Sequence, residues 1–268
     1  IMRISSMCIA DWLRDSIDDE RLGSGLCLDG LEGTWAGPWS PWTALNYLIK
    51  ATTESMPFVG GAPALTEALV KRNEQLGVSI HVNKDVSEIV VENNTVRGIK
   101  LATGDIHGSD VVLSALDPKF TFLKLVSRGG VSPSLLRRVD NIRMRGTTAV
   151  MQVALNTRPV DTGGRVIDRI RNAYSYDQVE QAFDCSKYGR ASDQPIIDCL
   201  VMDASSGADC PHGHSIASIN VRYAPICSAQ GLSEQLRSDF KTNVYAAIES
   251  ACPGFKEITV ADRLILPD

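Results

Sequence analysis

Between residues 58 and 115 the chain follows an order of apolar patterns that admits few folds. Phe58-Val-Gly-Gly-Ala-Pro-Ala-Leu sets two glycines ahead of an amphipathic helix whose Leu65, Ala68, Leu69 and Leu76 share one face, and Gly77 ends it. Four short strands are expected next. The first is 78–82; the second, 85–92, alternates apolar residues at Val86, Ile89 and Val91; Asn93-Asn94 turns the chain; 96–101 returns it and 110–114 closes the set. Helix, strand, hairpin and strand in that order predict an α/β layer with a small antiparallel hairpin attached. Asn93-Asn94-Thr95 also has the form of a glycosylation acceptor, and we read it as the hairpin turn.

The flanks read differently. Ile9, Trp12, Leu13 and Ile17 recur at helical spacing, a Gly-rich break is expected over 23–33, and a second Gly/Pro break carries Trp35, Trp39 and Trp42 into a helix at 43–50. Two readings of these tryptophans stay open: anchors that pin the loop to a core, or an aromatic wall for an apolar ligand. Beyond residue 131 the spacing predicts helices at 135–139, 174–183 and 233–252 and strands at 147–155, 196–202 and 215–222. Long connections between those strands favour an antiparallel sheet packed with helices. The expected fold class is therefore α/β plus α+β, with no internal repeat.

Composition narrows the function classes. With 268 residues, 44% of them hydrophobic, the chain has enough apolar material to bury about 70–75% of its unfolded surface without a metal or disulfide staple. A net charge of −5 and scattered bases argue against a nucleic-acid partner, which needs clustered cations on phosphates. Seven cysteines with no CxxC pair imply reduced thiols in a reducing compartment rather than a disulfide framework. No apolar run reaches the length of a membrane-spanning helix, and no signal peptide is expected. The start at Ile1 and the stop at Asp268 leave open that either end is a cut.

Motifs with a defined chemistry are mostly missing. Gly23-Ser-Gly25 and Gly60-Gly61 each lack a glycine of the dinucleotide fingerprint GxGxxG, and neither a Walker motif nor a GxSxG elbow occurs. His81 is expected in a strand and His107 in a turn, both structural. Cys210-Pro-His212-Gly-His214 brings donors close together, but a zinc site needs about four, so we read it as a polar loop and assign no metal. Asp18-Asp19-Glu20 is expected in an exposed helical turn, a poor place for a general acid/base pair. No catalytic residue is assigned.

The ordered series beginning at Phe58-Val-Gly-Gly-Ala-Pro-Ala-Leu-Thr-Glu-Ala-Leu, and running through Gly77-Val-Ser-Ile-His-Val-Asn-Lys-Asp-Val and Val111-Val-Leu-Ser-Ala-Leu-Asp-Pro, resembles the phytoene desaturase type of FAD-dependent oxidoreductase within the flavin amine oxidase superfamily. Ser40-Pro-Trp-Thr-Ala-Leu-Asn-Tyr47 upstream, and Ala251-Cys-Pro-Gly-Phe-Lys256 and Asp262-Arg-Leu-Ile-Leu-Pro-Asp268 downstream, extend the likeness over nearly the whole chain.

The resemblance implies the middle part of a Rossmann-like FAD domain joined to a substrate domain with a mostly antiparallel sheet and helices. On it, 1–55 is the helical part of the substrate domain, 56–130 a remnant of the FAD-binding domain, 131–256 the sheet and helices of the substrate domain, and 257–268 the start of a return to the FAD domain. The family's GxGxxG segment and its C-terminal flavin segment are expected outside this stretch. The resemblance also implies that FAD in the complete protein meets the backbone of Val86 at its adenine end, Gly60 and Gly61 at its ring, and Ala115 near its phosphates. Trp42, Tyr47, Phe58 and Tyr223 are the candidate wall for an apolar small-molecule substrate. Hydride transfer to flavin is the expected chemistry, and it needs no dedicated acid or base. An intracellular site is expected, cytoplasmic or mitochondrial matrix, with peripheral membrane contact left open. The alternative is an FAD-free fragment serving as a binding or protein-interaction module.

Overall fold

The computed structural model describes residues 2–53, 60–126, 128–144, 146–206, 210–225 and 234–267. Its main helices are α1 (Ile9–Arg14), α2 (Glu20–Leu31), α3 (Thr43–Ala51), α4 (Gly61–Gln75), α5 (Pro133–Asp140), α6 (Tyr176–Lys187) and α7 (Glu234–Ala251). The strands are β1 (Val86–Glu92), β2 (Thr95–Leu101), β3 (Ile106–Gly108), β4 (Ala149–Leu155), β5 (Arg169–Arg171), β6 (Ile196–Asp203), β7 (Ser215–Arg222) and β8 (Thr259–Ile265). Helices mixed with antiparallel sheets are the class the sequence predicts. Two compact units result, one from residues 1–67 with 145–268 and the other from 68–144.

The larger unit holds a five-stranded sheet in the order β5-β6-β7-β4-β8, antiparallel at every pairing. Odd-numbered residues of β4, β6 and β7, among them Met151, Val153, Cys199 and Ile219, are buried with Phe240, Val244 and Ile248 of α7. This is the alternation expected of strands with one covered face. A second core joins Ile9, Leu13, Leu28 and Leu31 to Tyr176, Val179 and Phe183 of α6.

The Gly-rich break expected over 23–33 is instead the body of α2. Asp19, expected in an exposed helical turn, is its N-cap, its carboxylate accepting from the Leu22 N–H at 2.9 Å. The glycines serve packing: a Cβ on Gly23 would overlap the Tyr176 hydroxyl, and one on Gly30 would stand 2.8 Å from the Thr43 carbonyl. Strands β5 and β8 went unforeseen, β5 because three residues are too short to show alternation.

In the smaller unit β1, β2 and β3 form a three-stranded antiparallel sheet. The hairpin lies where the sequence puts it, whereas His107 falls in β3 rather than in a turn. Gly98 makes that third strand possible, with φ +139° and no side chain to overlap the His107 carbonyl. The strands expected at 78–82 and 110–114 are absent, so His81 lies in an irregular segment. Val82 and Leu113 are 73% and 94% exposed. Alternation provides a strand with faces, but only a paired neighbour satisfies its N–H and C=O groups. Helix α4 forms as expected and leaves Leu65, Leu69 and Leu76 exposed.

Candidate functional site

The glycine pair opens α4. Gly60 and Gly61 have φ of +83° and +68°, a conformation that strains any residue with a side chain, and a Cβ on Gly60 would stand 2.9 Å from that of Ala64. The chain therefore presents bare backbone just before a helix N-terminus.

Val86 opens β1, where the pairing with β2 slips between Val86 and Glu88. It lines a cleft of about 730 Å³ with His81, Lys84, Ile99, Leu101, Asp105, Ile106 and His107. The His81 and His107 rings lie 6.5 Å apart, centroid to centroid. Ala115 is exposed between β3 and the turn at Pro118, beside Ser114, whose hydroxyl shares a 2.8 Å hydrogen bond with Thr121. It follows an irregular segment rather than a strand.

The aromatic positions separate into distinct settings. Trp35 meets Phe183 edge-on at 5.4 Å and Trp39 packs at 6.1 Å from Tyr176 with the Arg14 guanidinium over its ring, so these two anchor the loop. Trp42 is 59% exposed and takes a left-handed φ of +71° as N-cap of α3. Tyr47 stands edge-on to Trp12 at 5.3 Å. Tyr223, 3% exposed, lies beneath the loop: its hydroxyl donates to the Ala36 carbonyl at 2.8 Å, its ring packs on Phe183, and burial raises its pKa. Phe58 lies outside the described residues.

Sequence reasoning missed a cluster of charges at one end of the five-stranded sheet. Arg171 of β5 forks onto Asp29 of α2 and also donates to Asp198 at 3.1 Å, while Arg169 grips Asp198 at 2.8 and 2.7 Å. Burial alone would raise both carboxylates; hydrogen bonds from Arg171 and Lys50 to Asp29, and from Arg169 and Arg171 to Asp198, hold them below their ordinary values. Arg171 also donates to the Gly25 carbonyl and Arg222 to the Leu28 carbonyl, which fastens α2 to the sheet. Cys210 Sγ lies 3.5 Å from the His214 carbonyl oxygen. No three His, Cys, Asp or Glu side chains converge as metal ligands among the described residues, and no helix there is long and apolar enough to cross a membrane.

No protein-family profile matches the chain. Pyridine nucleotide-disulfide oxidoreductase domain-containing protein 2 of Mus musculus is 24% identical over 280 residues, which cover 97% of this chain and 48% of the mouse protein. The neurosporene-forming phytoene desaturase of Cereibacter sphaeroides is 35% identical over 68 residues, 25% of this chain and 13% of its own. One of these relatives is named an oxidoreductase and the other a desaturase, and this chain is similar to both in sequence. It spans about half the length of the mouse protein and of its rat counterpart.

Solved structures share the fold of this chain. An oxidoreductase from Methanosarcina mazei superposes with a TM-score of 0.63 at 15% identity, covering 99% of this chain and 57% of that one. A putrescine oxidase variant gives 0.57 at 10% identity, covering 98% and 54%. The expectation of an FAD-free interaction module finds no support among these relatives.

Proposed function

We propose that this chain is part of an FAD-dependent oxidoreductase that moves a hydride from a largely apolar substrate to the flavin. The observation that carries the reading is the glycine pair, two consecutive left-handed residues with no side chains at the head of α4, in a chain whose relatives are named oxidoreductases and phytoene desaturases.

The residues present fit FAD. Gly60 and Gly61 let a planar ring approach the backbone where a side chain would stand in the way. The cleft at Val86 has room for the adenine end, and the Lys84 ammonium at its edge suits a phosphate-bearing ligand. Ala115 keeps the approach to the phosphates free of bulk. When bound, the flavin supplies the hydride acceptor. The chain's own part is to orient the cofactor through backbone groups at 60–61 and 86, and to exclude water with Trp42, Tyr47 and Phe58, while Tyr223 supports the aromatic loop from beneath.

On this reading 56–130 contribute to the FAD domain and 1–55 with 131–256 to the substrate domain, with 257–268 leading back. The free thiols of all six described cysteines suit a reducing compartment, the cytoplasm or the mitochondrial matrix.

The test is the flavin absorbance of the full-length protein. Wild type is expected to purify yellow; Gly61→Val is expected to lose at least nine-tenths of its flavin, on the order of a tenfold weaker hold, with an unchanged circular dichroism spectrum. A colourless full-length wild-type preparation that takes up no added FAD overturns the proposal.

A further inference from the structure

The five-stranded sheet has a second face, and its residues form rows set by the registers. Gln152 stands opposite both Ser218 and Arg263, Ser218 opposite Leu200, and Leu200 opposite Arg169, so one row crosses all five strands. Helix α7 covers the other face, and α2 reaches this one at the rows of Arg171 with Asp198 and of Arg222, on the side of the row away from Met202 and Ile216. Leu200 is accordingly 44% exposed, and Ala154 on β4 and Ala261 and Arg263 on β8 are exposed on the same face.

The charges along the row are unequal. Arg169 is neutralised by its fork onto Asp198. The Arg263 guanidinium has no hydrogen-bond or ion-pair partner among the described residues. Between them Gln152 donates to the Ser218 hydroxyl at 3.0 Å, which leaves its amide oxygen and the hydroxyl proton for a ligand. Next to this row Met202, Ile216, Ala154 and Ala261 make an apolar strip, paired strand to strand. The face thus offers a cation at β8 and an apolar surface reaching β6, about 14 Å away at the ordinary ~4.8 Å strand spacing.

We propose that this open face binds a free, elongated amphipath, with its carboxylate or equivalent oxyanion on Arg263 and its apolar body laid over the strip toward Leu200. A pure hydrocarbon would strip water from Arg263 and Gln152 and return no hydrogen bond, whereas an oxyanion gives Arg263 a charge-assisted one. As a statement about the substrate, the proposal rests on the oxidoreductase reading above and replaces a wholly apolar substrate with one carrying an anionic head. Binding itself requires no flavin.

The experiment is isothermal titration of the purified chain, without FAD, against laurate, dodecanol and vesicles of anionic phospholipid. Wild type is expected to bind laurate about tenfold or more tightly than dodecanol, as one charge-assisted hydrogen bond predicts. Arg263→Gln is expected to bring the two ligands within about twofold of each other, and Leu200→Asp to weaken laurate, both with unchanged circular dichroism. Equal affinities in wild type, a laurate preference that survives Arg263→Gln, or binding to vesicles alone overturns the proposal. So does a dimer that Leu200→Asp dissolves, which assigns the face to a second copy of the chain. A colourless full-length protein that still binds laurate through Arg263 defeats the flavin reading and leaves this one standing.

Discussion

Asp29 and Arg171 meet in a two-pronged ion pair, Nη2 to Oδ1 at 2.7 Å and Nη1 to Oδ2 at 3.1 Å, across 142 positions of sequence. The pair closes α2 against β5, and the same guanidinium holds Asp198 on β6. Both carboxylates are held below their ordinary values, so the stability they contribute is complete above the unfolded carboxylate value of about 3.9. It is lost as pH falls from there through their lowered folded values. The urea midpoint is expected to hold between neutral pH and about 4 and then to drop. Asp29→Ala is expected to cost about 3 kcal/mol at neutral pH by leaving Arg171 partly unpaired, and to reduce the acid-dependent drop. A midpoint of Asp29→Ala equal to wild type at pH 7 contradicts this.

Gly23 sits on a helix, where alanine would ordinarily gain about 1 kcal/mol. The Tyr176 hydroxyl fills the space its side chain would need. Gly23→Ala is therefore expected to destabilise by about 1–2 kcal/mol, through overpacking. In a Tyr176→Phe background the same change is expected to lose most of that cost. A thermal-denaturation double-mutant cycle reads the coupling, and additive effects would disprove the contact.

Burial pushes the Cys27 and Cys199 thiols up to about 12. Few thiolates exist at either site at pH 8. Alkylation followed by peptide mass spectrometry should label the partly exposed Cys185 and Cys210 first, and Cys27 and Cys199 only after urea unfolding. Equal labelling of all four in the native protein refutes the assignment.

Trp42 is mostly exposed and holds a left-handed backbone conformation that costs a side-chain-bearing residue roughly 1–2 kcal/mol. Trp42→Gly is expected to raise the unfolding free energy by about 1 kcal/mol, after the extra chain entropy of glycine is subtracted. On the proposed reading the same variant turns over its apolar substrate less well. Higher Tm with lower activity marks a residue kept for function; lower Tm marks an anchor.

The alternation in β4, β6 and β7 was legible because one face of each lies under α7, and burial writes itself into sequence as a period of two. The hairpin was legible for a local reason, since Asn93 and Asn94 take the positive φ that a tight turn requires. The same period at 78–82 and 110–114 yields no strand, because pairing depends on a neighbour and not on the segment itself. Gly23 and Gly30 looked like breaks; only the positions of Tyr176 and Thr43 show that they are contact points. In the candidate site, the glycine pair and Val86 were nameable from the ordered series. Tyr223 was named as wall and lies under the loop, because sequence does not record which way an aromatic ring faces.

By itself, the sequence determined the local elements: the helix after Gly60-Gly61, the hairpin at 86–101, the three core strands and the aromatic loop. Tertiary structure alone decided that Asp29 and Arg171 meet, that Arg169, Leu200, Ser218, Gln152 and Arg263 fall in one row, and that α2 runs through its glycines. The physical reason is the range of the forces involved. Periodicity and turn chemistry act over a few residues, whereas registers, ion pairs and close helix contacts depend on segments that only the folded chain brings together.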